Sequence, residues 1–219
     1  MFKQLSLLNP GQISELKKIA DDAQFVDGKI SNPYSKVKNN LQLHDVEGYK
    51  KSSKILHDAL MGNREFVDFA FPEKIAPPLI TRYKPGMNYG LHADSAIIPL
   101  PDGPLRSDIS CTIFLSDVND CQGGALHVTQ GEAGMRFKGT PGTAIVYPSY
   151  TLHEVEPVTA GERMVAITFI QSKIPDVMNR NLLYELNEVA ALEGLNMAQE
   201  NYTRLQAVQY NLMRKWMEI

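Results

Sequence analysis

A mostly β protein with flanking helices is expected: a double-stranded β-helix (jelly roll) core, preceded by an N-terminal α/β segment and followed by C-terminal helices. Three observations carry this. Between Leu79 and Ser172 the chain passes through LITRY, SCTIFL, ALHV, TAIVYP, HEVEPV and MVAITFI, with Pro85-Gly86, Gly123-Gly124, Gly139, Pro141-Gly142 and Gly161 between them. Short β-rich runs broken by Gly/Pro turns indicate a sandwich or barrel, and the jelly roll is the version whose interior holds one small-molecule site. On either side of this region the apolar residues recur at helical spacing. Finally, 219 residues can bury a substantial core as one unit. The expected division is residues 1–78 as supporting helices and strands, 79–173 as the jelly roll and 174–219 as a helical extension.

Taken in order, Asn9-Pro10 supplies an N-cap followed by proline at the first helical position. Ile13, Leu16, Ile19, Ala20 and Ala23 then recur on one face, so a first helix spans about residues 10–23. Gly28 and Asn32-Pro33 mark a loop, and VKNNLQL (Val37 to Leu43) alternates as a strand should. Residues 47–61 return to helical spacing through Ile55, Leu56, Ala59 and Leu60. After Pro175, Leu182, Leu183, Leu186, Val189 and Ala190 form one stripe. Gly194 interrupts, and Tyr202, Leu205, Val208, Leu212, Met213 and Trp216 form another. These two helices are expected to cover a face of the barrel; the alternative is a homodimer contact through them.

The formal net charge of -3 gives no basic field, so neither nucleic acid nor an anionic membrane is an expected partner. The two cysteines, Cys111 and Cys121, are too few for a disulfide framework and are expected as free thiols. No apolar run approaches the roughly 20 residues that span a bilayer, and MFKQLSLLNPGQ has too short an apolar run for a signal peptide. A cytoplasmic protein is the expectation.

The chemistry begins in RYKPGMNYGLHAD, which ends in His92-x-Asp94. On a strand the two side chains share a face and reach one ion. Alone, His-x-Asp is a weak signal. It gains weight from His153 and from Arg163 ten positions later, all within the β-rich region. Two imidazoles and one carboxylate with open positions opposite are the ligand set of non-haem Fe(II) oxygenases, where only three protein ligands leave room for substrates on the metal. Arg163 adds a permanent charge that pairs a carboxylate through two hydrogen bonds. A hairpin turning at Gly161 would bring it near His153. An anionic ligand, an internal Asp or Glu partner, or simple exposure would each satisfy it.

Other candidates weigh less. His153-Glu154 does not open a zinc-peptidase motif, because Pro157 stands where the second histidine would fall. His127 is expected as an ordinary strand histidine, and His44 and His57 as surface or packing residues. Gly123-Gly124 is expected as a hairpin turn. Of Asn39 and Asn40, one is a candidate to face the substrate opening.

The ordered segments RYKPGMNYGLHAD, SDISCTIFLSD, GGALHV, PGTAIVYPSYTLHEVEPV and GERMVAITFIQS, with VKNNLQL before them and NRNLLYELNEV and YNLMRKW after, resemble the PKHD-type hydroxylases. This is the bacterial PiuC-like group of iron- and 2-oxoglutarate-dependent dioxygenases, related to prolyl 4-hydroxylases. The resemblance implies that His92, Asp94 and His153 hold Fe(II). It further implies that Arg163 receives the C5 carboxylate of 2-oxoglutarate, with Tyr83 hydrogen-bonding the same group. O2 would be the oxidant, L-ascorbate a candidate reductant, and succinate and CO2 the coproducts of C–H hydroxylation. The substrate would be a peptidyl proline or lysine, or a small metabolite. A non-catalytic, cupin-like protein that holds a metal or small anion is the competing class, since fold alone does not exclude it.

Overall fold

The computed structural model describes residues 1–218. The chain opens with β1 (Lys3–Ser6), α1 (Pro10–Asp22), β2 (Phe25–Asp27), β3 (Lys38–Asn39), β4 (Leu41–Leu43), α2 (Val46–Gly62) and α3 (Arg64–Ala70). The β-rich centre comprises β5 (Pro72–Ile75), β6 (Leu79–Tyr83), β7 (Asn88–His92), β8 (Ile97–Ile98), β9 (Leu105–Arg106), β10 (Ile109–Phe114), β11 (Cys121–Gly123) and β12 (Leu126–Gln130). It continues with β13 (Ala133–Phe137), β14 (Thr143–Pro148), β15 (Leu152–Val155), β16 (Val158–Gly161) and β17 (Arg163–Ser172), and the chain ends in α4 (Val177–Glu193) and α5 (Gln199–Trp216). Among the described residues no helix is long and apolar enough to cross a membrane.

The strands form the two facing sheets of a jelly roll. A major sheet runs β1-β14-β10-β17-β6-β4-β2, with β5 also paired to β17, and a minor sheet runs β13-β12-β15-β7-β3. Strand alternation then sorts the residues. On β10, Ile109, Cys111 and Ile113 join the large core packed under the helices, while Phe114 joins the cluster between the sheets with Leu126, Val128, Ile145, Tyr147 and Val165. The major sheet therefore has a helix-covered outer face and an inner face turned to the minor sheet.

Local signals account for the helices. Asn9 makes a full capping box: its Oδ1 accepts from Gln12 N–H at 2.9 Å and its own N–H donates to Gln12 Oε1 at 3.0 Å, with Pro10 opening the helix. Behind this cap, Leu16 and Ala20 are fully buried. Asp45 caps α2 through Gly48 N–H, and Asn63 caps α3 through Phe66 N–H at 2.9 Å. Helix α3 was not expected from spacing because at seven residues it has too few turns to show a period. It nonetheless buries Phe66, Phe69 and Ala70.

Two expectations about elements change. VKNNLQL is not one strand: β3 pairs with β7 in the minor sheet, β4 pairs with β6 and β2 in the major sheet, and Asn40 sits at the crossing. A chain bridging two facing sheets must leave one ladder before joining the other, and Gly28 allows the close approach there by donating its N–H to Asn40 O at 2.8 Å. At the C-terminus α4 packs on α3, with Tyr184 edge-on to Phe69 at 5.4 Å, and α5 packs on α4. In the expected stripe Leu183 is fully buried, but Leu182 and Val189 are about half exposed, and α5 has no buried residue.

The capping box on α1 is expected to contribute about 1 kcal/mol. Asn9→Ala should lower stability by that amount in urea unfolding, and Asn9→Gly by only a few tenths.

Candidate active site

The site lies between the two sheets. His92 is the last residue of β7, and its register partner on β15 is His153, so the two imidazoles stand side by side on the inner face of the minor sheet with ring centroids 4.3 Å apart. Asp94 does not share their strand, contrary to the expectation from His-x-Asp; it follows the end of β7 and reaches back from the loop. Its Oδ1 lies 3.9 Å from His92 Nε2 and its Oδ2 3.7 Å from His153 Nε2. One ligand atom from each residue falls within 4.8 Å of the others.

Both rings are fixed in the same tautomer. His92 Nδ1 donates to Gly90 O at 2.8 Å and His153 Nδ1 to Thr151 O at 2.9 Å, each two residues back along the chain. Both Nε2 lone pairs are therefore free toward Asp94. Burial, reinforced by neighbouring His153, pulls the His92 pKa below its ordinary value, so the ring stays neutral and able to ligate. The Tyr89 ring stacks on His92 at 3.6 Å, and Tyr147 stands edge-on to His153 at 5.2 Å. Two imidazole nitrogens and a carboxylate, with cavity opposite, fit a divalent first-row cation with open positions.

Arg163 arrives by another route than the expected hairpin. After Gly161 the chain leaves β16, which pairs with β11, and β17 enters the major sheet between β10 and β6. Arg163 is in register with Tyr83 on β6, and both turn inward to line the same cavity as His153. Arg163 is 4% exposed; its guanidinium lies 5.0 Å from the Tyr83 ring centroid, and Nη1 has no hydrogen-bond partner. Among the described residues no Asp or Glu comes within ion-pair distance of it. The alternatives of surface exposure and an internal acid partner are thereby excluded. Burial pulls its pKa down, the sign of a charge lacking compensation in the interior.

Tyr83 is buried beside it, and its hydroxyl accepts from Asn40 Nδ2 at 2.9 Å. Burial raises the phenol pKa, so the hydroxyl keeps its proton and can donate into the cavity. Asn40, at the crossing between sheets, is the cavity residue of the asparagine pair; Asn39 is exposed and donates to Gly86 O at 3.2 Å.

Gly123-Gly124 does not make a tight hairpin turn. The pair leads from β11, bonded to β16, into β12 of the minor sheet, and a Cβ on Gly124 would lie 3.0 Å from Arg163 Cδ, at φ +67. It is the close approach that seats the arginine. Cys111 and Cys121 are free and buried, as expected. The Cys111 side chain packs with Ile109 and Ile113 in the core under the helices, and burial pushes its thiol up to about 12. His127 lies outside the site, bonded to Glu154 Oε1 at 3.0 Å, and His44 and His57 are exposed. Sequence reasoning missed Ser110, whose Oγ donates to Asp94 Oδ2 at 2.5 Å. A serine inside the apolar run SCTIFL was the available signal, since a buried hydroxyl needs a partner.

The sequence model of the 2OG-Fe(II) oxygenase superfamily matches residues 78–171. A PKHD-type hydroxylase of Sphingopyxis alaskensis is 67% identical over 216 residues, covering 99% of each chain. Another, from Thermosynechococcus vestitus, is 39% identical with 97% of each chain covered. Among solved structures, a Pseudomonas putida prolyl-4-hydroxylase aligns with TM-score 0.55 at 15% identity, over 78% of this chain and 92% of that one. A prolyl hydroxylase from Trichoplax adhaerens aligns with TM-score 0.59 at 16% identity, over 78% and 83%. The structural likenesses establish a shared fold, and the identity sustained from end to end with the curated relatives places this chain in the PKHD-type hydroxylases of the 2OG-Fe(II) oxygenase superfamily.

Proposed function

We propose that the chain hydroxylates a C–H bond of a peptide or small-molecule substrate, with His92, Asp94 and His153 holding Fe(II) and Arg163 and Tyr83 receiving the C5 carboxylate of 2-oxoglutarate. The single observation that carries the assignment is Arg163, a buried guanidinium with an orphan Nη1 that lines the cavity also holding two imidazoles and a carboxylate. A binding protein for a metal alone has no use for such a charge. A dicarboxylate that spans from the metal to the far wall satisfies both ends at once.

When bound, Fe(II) with 2-oxoglutarate and O2 supplies the oxidising chemistry. The chain's own contribution is positional. Gly90 O and Thr151 O hold the two rings by their Nδ1 protons, so neither imidazole reorients when it takes a ligand role. Asn40 occupies one side of the Tyr83 hydroxyl, which directs the remaining O–H toward the carboxylate seat next to Arg163. Val155, Leu126 and Ile167 line the wall between these polar ends and exclude water from the cosubstrate. The primary substrate is read by the excursion from Ile97 to Ser107, a short hairpin of β8 and β9 that follows directly from Asp94.

Anaerobic addition of Fe(II) and 2-oxoglutarate should produce the visible metal-to-ligand absorption band of the chelate; iron bound without the band would sink the cosubstrate assignment. In the same assay Asp94→Ala should lose iron, whereas Arg163→Met should keep iron and weaken 2-oxoglutarate by about 30-fold or more, as expected when one partner of a buried charge pair is removed. Tyr83→Phe deletes one hydrogen bond and should raise the KM for 2-oxoglutarate by about 5–15-fold with little change in iron affinity. Gly124→Ala pushes a methyl against Arg163 and should also weaken 2-oxoglutarate, by about tenfold, while leaving the iron ligands in place.

A further inference from the structure

Asp94 is the one member of the metal-binding group that no strand holds. His92 and His153 are each fixed by a ladder and a backbone carbonyl, but Asp94 lies in the loop between β7 and β8. What meets its carboxylate is a line of three serines. Ser110 Oγ donates to Asp94 Oδ2 at 2.5 Å, Ser149 Oγ lies 2.8 Å from Ser110 Oγ, and Ser107 Oγ lies 2.8 Å from Ser149 Oγ. Ser110 and Ser149 are each 3% exposed.

The chemistry of the end group fixes the direction of every bond. An ionised carboxylate only accepts, so Ser110 must spend its single proton on Asp94. Ser110 is then left to accept, Ser149 must donate to it, and Ser107 must donate to Ser149. Three hydroxyls thus point one way, each polarised by the next, and the bond onto the charged oxygen is of the stronger, charge-assisted kind.

The far end of the line is the base of the β8–β9 hairpin. Ser107 N–H donates to Ala96 O at 2.8 Å, closing the excursion that begins just after Asp94, and Ser149 N–H donates to Asp108 O at 3.2 Å. Asp108 is itself gripped by Arg106 Nε at 2.8 Å and by Ser172 N–H at 2.8 Å, so the base is anchored to the major sheet.

We propose that Ser110, Ser149 and Ser107 are positioning residues that hold Asp94 in its metal-binding orientation and tie that orientation to the base of the β8–β9 hairpin. This rests on the reading of His92, Asp94 and His153 as the metal ligands, and adds to it the device that makes a loop carboxylate as well placed as two strand histidines.

The test is anaerobic titration of the full chain with Mn(II), together with the visible absorption of the Co(II)-loaded protein, neither of which requires turnover. Ser110→Ala should lower Mn(II) affinity by about 10–100-fold and alter the Co(II) bands, with the unfolding midpoint of the metal-free protein unchanged. Ser149→Ala, which touches no ligand, should lower it less but in the same direction, and Ser110→Thr, which keeps a hydroxyl, should restore most of the loss. Loss of binding in Asp94→Ala with wild-type binding and spectra in Ser110→Ala would overturn the proposal while leaving the ligand assignment standing. Unaltered binding in Asp94→Ala would instead overturn the ligand assignment, and the serine device with it.

Discussion

A guanidinium kept dry and without a carboxylate is the constraint to which the interior of this protein answers. Left alone between two sheets, Arg163 would cost several kcal/mol. What surrounds it limits that cost: the Tyr83 ring 5.0 Å away, a glycine that allows its stem to lie close to the backbone, and a cavity into which an anion can enter. The fold carries the charge because β17 is central in the major sheet, paired with β10 on one side and β6 on the other, so the residue that begins it cannot swing outward. A strained charge of this kind is a seat waiting for its ligand.

The same alternation builds the hydrophobic core and the polar site. Along β10, successive residues turn to the helices and to the cavity, so Ile109 and Ile113 sit in the core while Ser110 and Thr112 line the pocket. Strand β17 does the same, with Met164 and Ala166 in the core on the face opposite Arg163, whereas β7 and β15 of the minor sheet leave Leu91 and Leu152 exposed on the face opposite the histidines. Pairing of β7 with β15 places the two imidazoles on neighbouring strands with ring centroids 4.3 Å apart.

Much of this was legible from composition and period. The Gly/Pro-broken runs gave the jelly roll, Asn9-Pro10 gave the start of α1, and His92, Asp94, His153 and Arg163 converge as expected. What was not legible depended on which sheet a strand joins. The passage from His153 to Arg163 looks like a hairpin in sequence, yet the two residues belong to opposite sheets, because β16 pairs with β11 before β17 begins. VKNNLQL has strand composition throughout and carries no sign that it changes sheets at Asn40. The serines next to Asp94 were invisible for a related reason: Ser107, Ser110 and Ser149 meet only when β10 and β14 pair. Side-chain period determines the face of a strand, and long-range pairing determines its neighbours.

The alternation along β10 has a consequence for which metals the cavity can retain. It turns the Cys111 side chain, with Ile109 and Ile113, into the core under the helices, on the opposite face from Ser110 and Thr112. The metal-binding group therefore offers imidazole nitrogen and carboxylate oxygen only. A thiophilic ion such as Cu(I), which gains most from sulfur, finds no such ligand there. By turning its one thiol away, the packing of β10 narrows the competition at a site whose three-ligand set has little selectivity of its own.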